Sequence, residues 1–310
     1  MSRQRVLILG ATGMLGHKLC EVLGGTPELE VHATTRGGPG EVVAHGIELH
    51  AGIDLSGGTA RLATLLDRLV PDVVVNAVGA IKQKDLRAAI DETFFVNATL
   101  PHELALLNPN AGGRVVHFST DCVFRGDRGA YRESDSPDVT DLYGRSKAVG
   151  EIAYGPHLTL RTSIVGFERQ GHLGLLSWFV SHAPGTTVRG YTGAIYGGLP
   201  TVTLARTVRE LLLRREPLRG LYHVASDPIS KYDLLVRLNE ALGLDIRVEP
   251  DHTVHIDRSL DDARFRGATG SPRPSWSTLV ADLKQDYLEQ DYEAVYRARR
   301  RAQAEDACSR

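Results

Sequence analysis

VLILGATGMLG, residues 6–16, decides the fold. Four apolar residues in a row read as a buried strand, and Gly10 ends it. Gly10, Gly13 and Gly16 then recur at every third position, and an amphipathic stretch runs from Met14 to Leu23. Gly10 permits a tight turn. Gly13 lets backbone N–H groups approach a pyrophosphate at a helix N-terminus, where the helix dipole favours an anion. Gly16 allows the helix to pack close to the strand. Gly10, Thr12, Gly13, Met14, Leu15 and Gly16 are therefore candidate cofactor residues. Three spaced glycines alone are a weak signal; a strand before them and a helix after them supply the context that gives it weight.

The pattern repeats outward. Leu29 to Thr34 completes a strand–helix–strand unit. A helix follows over Arg61 to Leu69, then a buried strand in PDVVVNAVG (71–79). A long helix is expected over Asp91 to Leu107, kinked or broken at Pro101. Strand RVVHFS (114–119), a helix over Tyr143 to Ala153 and a strand over Leu158 to Val165 continue the alternation. Alternating strands and helices imply a parallel sheet covered on both faces. Past residue 166 the rhythm loosens. Helices are expected at Leu173 to Ser181, Val202 to Arg215 and Tyr232 to Leu242, the last capped by Ser230. Strands are expected at 221–226 and 246–250, and a Gly- and Tyr-rich loop at 185–198. The expected class is α/β: a Rossmann-type doubly wound parallel sheet with a smaller C-terminal substrate-binding lobe. Residues 1–166 would form the dinucleotide-binding domain. Residues 167–290 would form mainly the second lobe, with segments returning to the first, and 291–310 a charged tail.

Composition narrows the partners. The chain has 310 residues, 42% of them hydrophobic, so a large core can be buried. Lys and Arg total 36 against 38 Asp and Glu, a net charge of −2. That balance gives no reason to expect nucleic acid or an anionic membrane surface. The basic cluster at Arg297, Arg299, Arg300 and Arg301 reads as a solvated face. Cys20, Cys122 and Cys308 are scattered, with no CxxC and no His/Cys cluster, so neither a disulfide framework nor a zinc site is expected. A reducing cytoplasm fits that usage. MSRQRVLILG is too short an apolar run for a signal peptide, and no segment approaches a membrane span. A homodimer is compatible with the sequence and not specified by it.

The second strand ends in VHATTRGG, with no acid to hold a ribose 2′-hydroxyl. Arg36 stands there instead, and its planar guanidinium suits a 2′-phosphate. NADP(H) is accordingly favoured over NAD(H). Asp54, in GIDLS, could accept from an adenine amino group or cap a helix.

Tyr143 and Lys147 form YGRSK (143–147). Four residues is about one helical turn, so both side chains share a face. An ammonium beside a phenol favours the phenolate, which makes Tyr143 a candidate general acid or base. The strand ending at Ser119 and Thr120 puts a hydroxyl where it can hydrogen-bond a carbonyl oxygen that Tyr143 protonates.

With these motifs the sequence resembles the extended short-chain dehydrogenase/reductases, and more closely the dTDP-4-dehydrorhamnose reductase branch, including its capsule and antigen sugar reductases. GATGMLG, NAVG, STDCVF (119–124), GAYRESDSPDVTDLYGRSKAVGE (129–151) and RTSIVG (161–166) carry the resemblance, supported later by 221–235 and 257–266. It implies hydride transfer from a nicotinamide to C4 of a keto sugar carried on a nucleotide diphosphate. Thr120 would orient the carbonyl, Tyr143 give the proton, and Lys147 tune Tyr143 and hold the nicotinamide ribose. Ala77, Val78 and Gly79 would line the cofactor, with Thr162 and Ile164 near the nicotinamide in the stretch from Arg161 to Ile164. Asn97 would be structural. Lys82, Gln83 and Arg258 would reach sugar or phosphate, and Asp121 would line the pocket. Trp178 and Tyr191 belong either to that pocket or to the core.

Cys122 separates the chemistries of this scaffold. Related dehydratases carry Thr-Asp-Glu, whose glutamate is the base; Cys122 takes that place, so elimination is not expected. Epimerase/reductases carry a cysteine two positions after the catalytic hydroxyl, where a thiolate shuttles a proton with a histidine. Cys122 has that offset, and His172 is a candidate partner. The bland alternative is a small residue shaping the pocket. Three readings stand: a 4-ketoreductase, an epimerase/reductase using Cys122, and a non-catalytic NADP-binding regulatory subunit.

Overall fold

A computed structural model of the chain describes residues 3–38, 45–81, 90–107, 113–169 and 173–298. Lys82, Gln83, His172, Arg299, Arg300, Arg301 and Cys308 lie outside the described residues. The first half builds strands β1 (Gln4–Leu9), β2 (Leu29–Thr34), β3 (Ile47–His50), β4 (Val73–Asn76), β5 (Arg114–Thr120) and β6 (Leu158–Thr162). Then come β7 (Ile164–Val165), β8 (Thr187–Tyr196), β9 (Leu199–Pro200), β10 (Gly220–His223), β11 (Ile229–Ser230) and β12 (Arg247–Asp257). The main sheet has seven strands in the order β10-β6-β5-β4-β1-β2-β3. Every pairing in it is parallel.

Strand alternation sorts the core into two layers. Val6, Ile8, Val73, Val75, Val116 and Phe118 face one side, packed with Leu15, Leu19 and Leu23 from the α1 (Gly16–Gly24) segment. Leu7, Leu9, Val74 and Val115 face the other, against Leu62, Leu65, Leu66 and Leu69 of α2 (Ala60–Leu69). The chain winds from β1 outward to β3, then returns to β4 beside β1 and winds the other way. The strand order therefore reverses between β1 and β4, and a crevice opens there beyond the strand ends.

The helix expected over 91–107 forms as α3 (Ile90–Phe94), a π-turn at Phe95–Thr99, and α4 (Leu100–Leu107). Pro101 has no N–H to give to the carbonyl of Asn97, and the ladder widens there instead of breaking. The site helix is α5 (Leu142–Val149). The second half adds α6 (Leu175–Val180), α7 (Thr201–Leu213), α8 (Lys231–Leu242), α9 (Ala263–Thr269) and α10 (Trp276–Glu289).

Two expectations are corrected. Residues 185–198 are not a loop: Thr187–Tyr196 is the central strand of a second sheet, ordered β11-β8-β12. Its glycines mark close approach, not a turn. A Cβ on Gly190 would stand 2.9 Å from Tyr232 Cα, and one on Gly193 2.5 Å from the Val254 carbonyl oxygen. Nor does a charged tail begin at 291. Residues 292–298 are helical, and Tyr292 and Tyr296 are fully buried in the main core. The strand expected at 246–250 runs on to Asp257, with an irregular register between Asp251 and His255. Among the described residues no helix is long and apolar enough to cross a membrane.

Candidate active site

The glycine turn sits at the end of β1 with the geometry an anion site needs. Gly10 has a φ of +86°, and a Cβ on Gly16 would lie 1.9 Å from the Gly10 carbonyl oxygen. Only glycine fits either position. Leu15 precedes α1 and offers no side-chain cap, and the first turn has no acid. The His17 N–H donates to Gly13 O, and no side chain caps the helix start, so an outside acceptor can take a remaining N–H group. Thr12 and Met14 are half-buried and Gly13 is exposed, while the Leu15 side chain is core. These residues fit a dinucleotide pyrophosphate.

Arg36 is exposed just past β2. Asp54 lies close enough for the Arg36 charge to act on it, but Ser56 dominates: its N–H and hydroxyl both bond Asp54 Oδ1 and hold the carboxyl below its usual range. Asp54 closes this local turn and caps no helix, since Thr59 precedes α2. On the far side of the crevice Ala77 N–H donates to Leu9 O, and Val78 N–H to the Asn76 side chain. A Cβ on Gly79 would come 4.0 Å from Lys147 Nζ, so the β4 loop runs directly past the lysine. Asn97 locks that arrangement, bonding both backbone groups of Ala80 and donating to Ser146 Oγ on α5.

Thr120 ends β5, and a short turn over Asp121–Val123 follows. Its hydroxyl oxygen accepts from Cys122 N–H and donates to Asp121 Oδ1, each at 3.1 Å. Asp141 caps α5 through Gly144 N–H, which aims Tyr143 and Lys147 at that turn. The Tyr143 phenol lies close enough to the Thr120 side chain for Thr120 to act on its pKa. Burial, then the nearby Cys122, push its pKa up. That corrects the expectation of a phenolate drawn out by Lys147: burial dominates, Cys122, Asp121 and Asp141 push the same way, and Tyr143 holds its proton. Lys147 is itself buried, and its pKa is pushed down to about 8 against the pull of Glu151.

Asp121 is buried beside Cys122, and burial lifts its carboxyl. Arg258 reaches the same corner, donating from Nε to Phe124 O and standing 3.8 Å from Cys122 Sγ. Ile164 is half-buried, whereas Thr162 is buried and spends its hydroxyl on Ser163 O. Arg161 is committed elsewhere. It bonds both Glu151 oxygens at 2.6 Å and lies over the Phe124 ring. Trp178 and Tyr191 are 37% and 39% exposed, so neither is a core residue.

His117 was not legible as a site residue. It sits in an apolar strand three positions before Thr120, fully buried, with Nε2 3.5 Å from Lys147 Nζ and Nδ1 3.2 Å from Asn76. Burial, then the Lys147 charge, keep it neutral. The one available signal was a lone polar residue on the face of a buried strand that also carries the site hydroxyl.

Comparison with known proteins follows from this geometry. A family model described as the RmlD substrate binding domain matches residues 4–288. A probable low-salt glycan biosynthesis reductase from Haloferax volcanii is 29% identical over 296 residues, covering 89% of this chain and 96% of the relative. A probable dTDP-4,6-dihydroxy-2-methyloxan-3-one 4-ketoreductase from Streptomyces antibioticus is 29% identical over 301 residues, covering 92% and 96%. Among solved structures, a Bacillus anthracis dTDP-4-dehydrorhamnose reductase in complex with NADP superposes with a TM-score of 0.77 at 20% identity, covering 92% of this chain and 99% of that one.

Proposed function

The chain belongs to the RmlD substrate-binding-domain family, and from that premise we propose that it reduces the 4-keto group of a nucleotide-activated 6-deoxyhexose, using NADPH. The observation that carries this reading is Lys147 one helical turn beyond Tyr143 on α5, with the Thr120 hydroxyl at the end of β5 close enough to act on the Tyr143 phenol. The two matched relatives are named as a reductase and a 4-ketoreductase. NADPH, when bound, supplies the hydride to C4. Thr120 turns its hydroxyl toward the keto oxygen and holds it. Tyr143 gives that oxygen its proton as the C=O π bond opens, so that the product is an alcohol. Lys147, beside Gly79, holds the nicotinamide ribose and offsets the charge left on Tyr143. Arg36 supports NADPH over NADH through the 2′-phosphate. Arg258 and the Asp121–Cys122 corner lie against the sugar side, and position 122 has no carboxylate for elimination.

The test is NADPH consumption with dTDP-, UDP- and GDP-linked 4-keto-6-deoxyhexoses, with the product followed by NMR in D2O. The expected result is a C4 alcohol formed faster with NADPH than with NADH, without solvent deuterium at C3 or C5. Deuterium there would make the protein an epimerase/reductase working through Cys122. Tight NADPH binding with no turnover of any of these sugars would leave only the non-catalytic reading.

A further inference from the structure

At the edge of the main sheet, apart from the candidate active site, three metal-ligating side chains converge: His32 on β2, with Glu48 and His50 on β3. Their spacing in the sequence, 18 residues between the histidines, gives no hint of it. The parallel register sets His32 beside Glu48 and Thr34 beside His50, and strand alternation turns all three to one face. His32 Nδ1 lies 3.1 Å from His50 Nε2 and 3.6 Å from one Glu48 oxygen, and His50 Nε2 lies 3.7 Å from the other. Two donors bound to zinc at about 2.0–2.1 Å in tetrahedral geometry stand about 3.4 Å apart. The separations lie near that value, with one Glu48 oxygen toward each imidazole, and one ligand atom from each residue falls within 4.8 Å of the other two.

The surroundings suit a ligand set. His32 Nε2 stands 3.1 Å from Glu30 Oε1, and Arg5 holds Glu30 from the other side at 2.8 Å. A carboxylate on the outer nitrogen keeps the proton there and turns the Nδ1 lone pair toward the cluster. The two imidazoles are nearly enclosed, while the Glu48 side chain is 66% exposed and leaves an entry path. We propose that His32, Glu48 and His50 form a binding site for a zinc-type divalent transition-metal ion, with water in the fourth position. On binding, the ion takes the place of the hydrogen bond between the facing imidazole nitrogens, and His50 carries its proton on Nδ1. Arg68, exposed and 3.4 Å from His50 Nδ1, turns outward on binding. The ion would tie the edge strand β3 to β2. Thr35 N–H bonds His50 O, and Ile53 N–H bonds Thr35 O, so these strand ends also carry Arg36 and Asp54.

Calorimetry with Zn2+ on the tag-free, metal-stripped full chain tests the site, with Co2+ as an optical probe. One ion per chain is expected, with the absorption of four-coordinate Co2+. Binding should weaken about tenfold or more in His50→Gln and in His32→Gln, and stay unchanged in His252→Gln, a histidine outside the cluster. Since replacing an enclosed histidine can disturb folding, Glu48→Gln, on a largely exposed side chain, gives an independent reading and should also weaken binding and alter the Co2+ spectrum. Absence of one-to-one binding overturns the proposal. So does an affinity unchanged in both His50→Gln and Glu48→Gln.

Discussion

A tyrosine that must deliver a proton needs to hold it until the substrate oxygen becomes basic. Tyr143 does so through burial, while the nearby Thr120 side chain works the other way. Tyr143→Phe should therefore cut kcat by about 10²–10⁴-fold with NADPH affinity nearly unchanged, a loss that stopped-flow reduction would measure. Lys147 sets the pH behaviour. Its folded pKa, about 8, lies below the ordinary lysine value of 10.5. It is an ammonium below pH 8 and loses its charge above it, so kcat/KM should be level below about 8 and fall above. The same depression means that burying the charged lysine costs stability at neutral pH, a cost relieved as pH rises from about 8 toward 10.5. Lys147→Arg keeps its charge and should remove the alkaline fall while slowing the reaction. A fall in rate at the same pH in that variant would assign it to another group. Tyr143 and Lys147 were legible because one helical turn fixes their spacing. The sign of the Tyr143 shift was not, since it depends on how much water the fold removes.

Among elements, the glycine turn was readable from its neighbours on either side, but what braces it was not. His17 Nδ1 is 2.9 Å from Gly13 O, and its Nε2 is 2.9 Å from the buried hydroxyl of Tyr292. Burial pulls the His17 pKa down to about 4, so the ring is neutral at working pH and adds no charge beside the pyrophosphate position. The C-terminal helical segment thus reaches the cofactor turn through one imidazole. Tyr296 braces the following loop, bonding Ser177 and both backbone groups of Glu168, and Glu168 in turn holds Gly174 N–H close to Met14. Tyr292→Phe leaves a buried His17 nitrogen without its partner, at roughly 1 kcal/mol. NADPH should then bind about fivefold more weakly, measured by fluorescence titration, with kcat unchanged within about twofold. An unchanged affinity would reduce Tyr292 to packing. Neither tyrosine could be assigned from the sequence, because they stand among charged residues in a stretch that reads as solvated.

At the scale of the whole molecule, the expected boundary at 166 does not divide the core. One continuous cluster runs from Val6 on β1 to Tyr296, joined by α7 and α10, while β10 returns to the edge of the main sheet beside β6. Alternation along the chain revealed the layers, but no local pattern reveals contacts between residues 268 positions apart. The sharpest such contact is the buried ion pair between Lys18 on α1 and Asp286 on α10, with Glu21 as the second partner of the lysine. Both side chains are almost fully enclosed, and Asp286 Oδ2 is buried without a hydrogen-bond partner among the described residues. Burial raises the Asp286 pKa even though Lys18 opposes it, a sign that desolvation here outweighs attraction. The pair therefore specifies how the two ends of the chain dock more than it adds stability. Lys18→Met alone should cost about 3–5 kcal/mol, since it strands the buried Asp286 carboxyl, and Asp286→Leu alone should cost less, since Glu21 still pairs with the ammonium. The double replacement fills the same space without charge, and should be neutral or more stable than the parent by about 1–4 kcal/mol. Urea unfolding of the four proteins measures this. If the double loss equals the sum of the single losses, the two side chains act independently, and the ends of the chain are held by apolar packing alone.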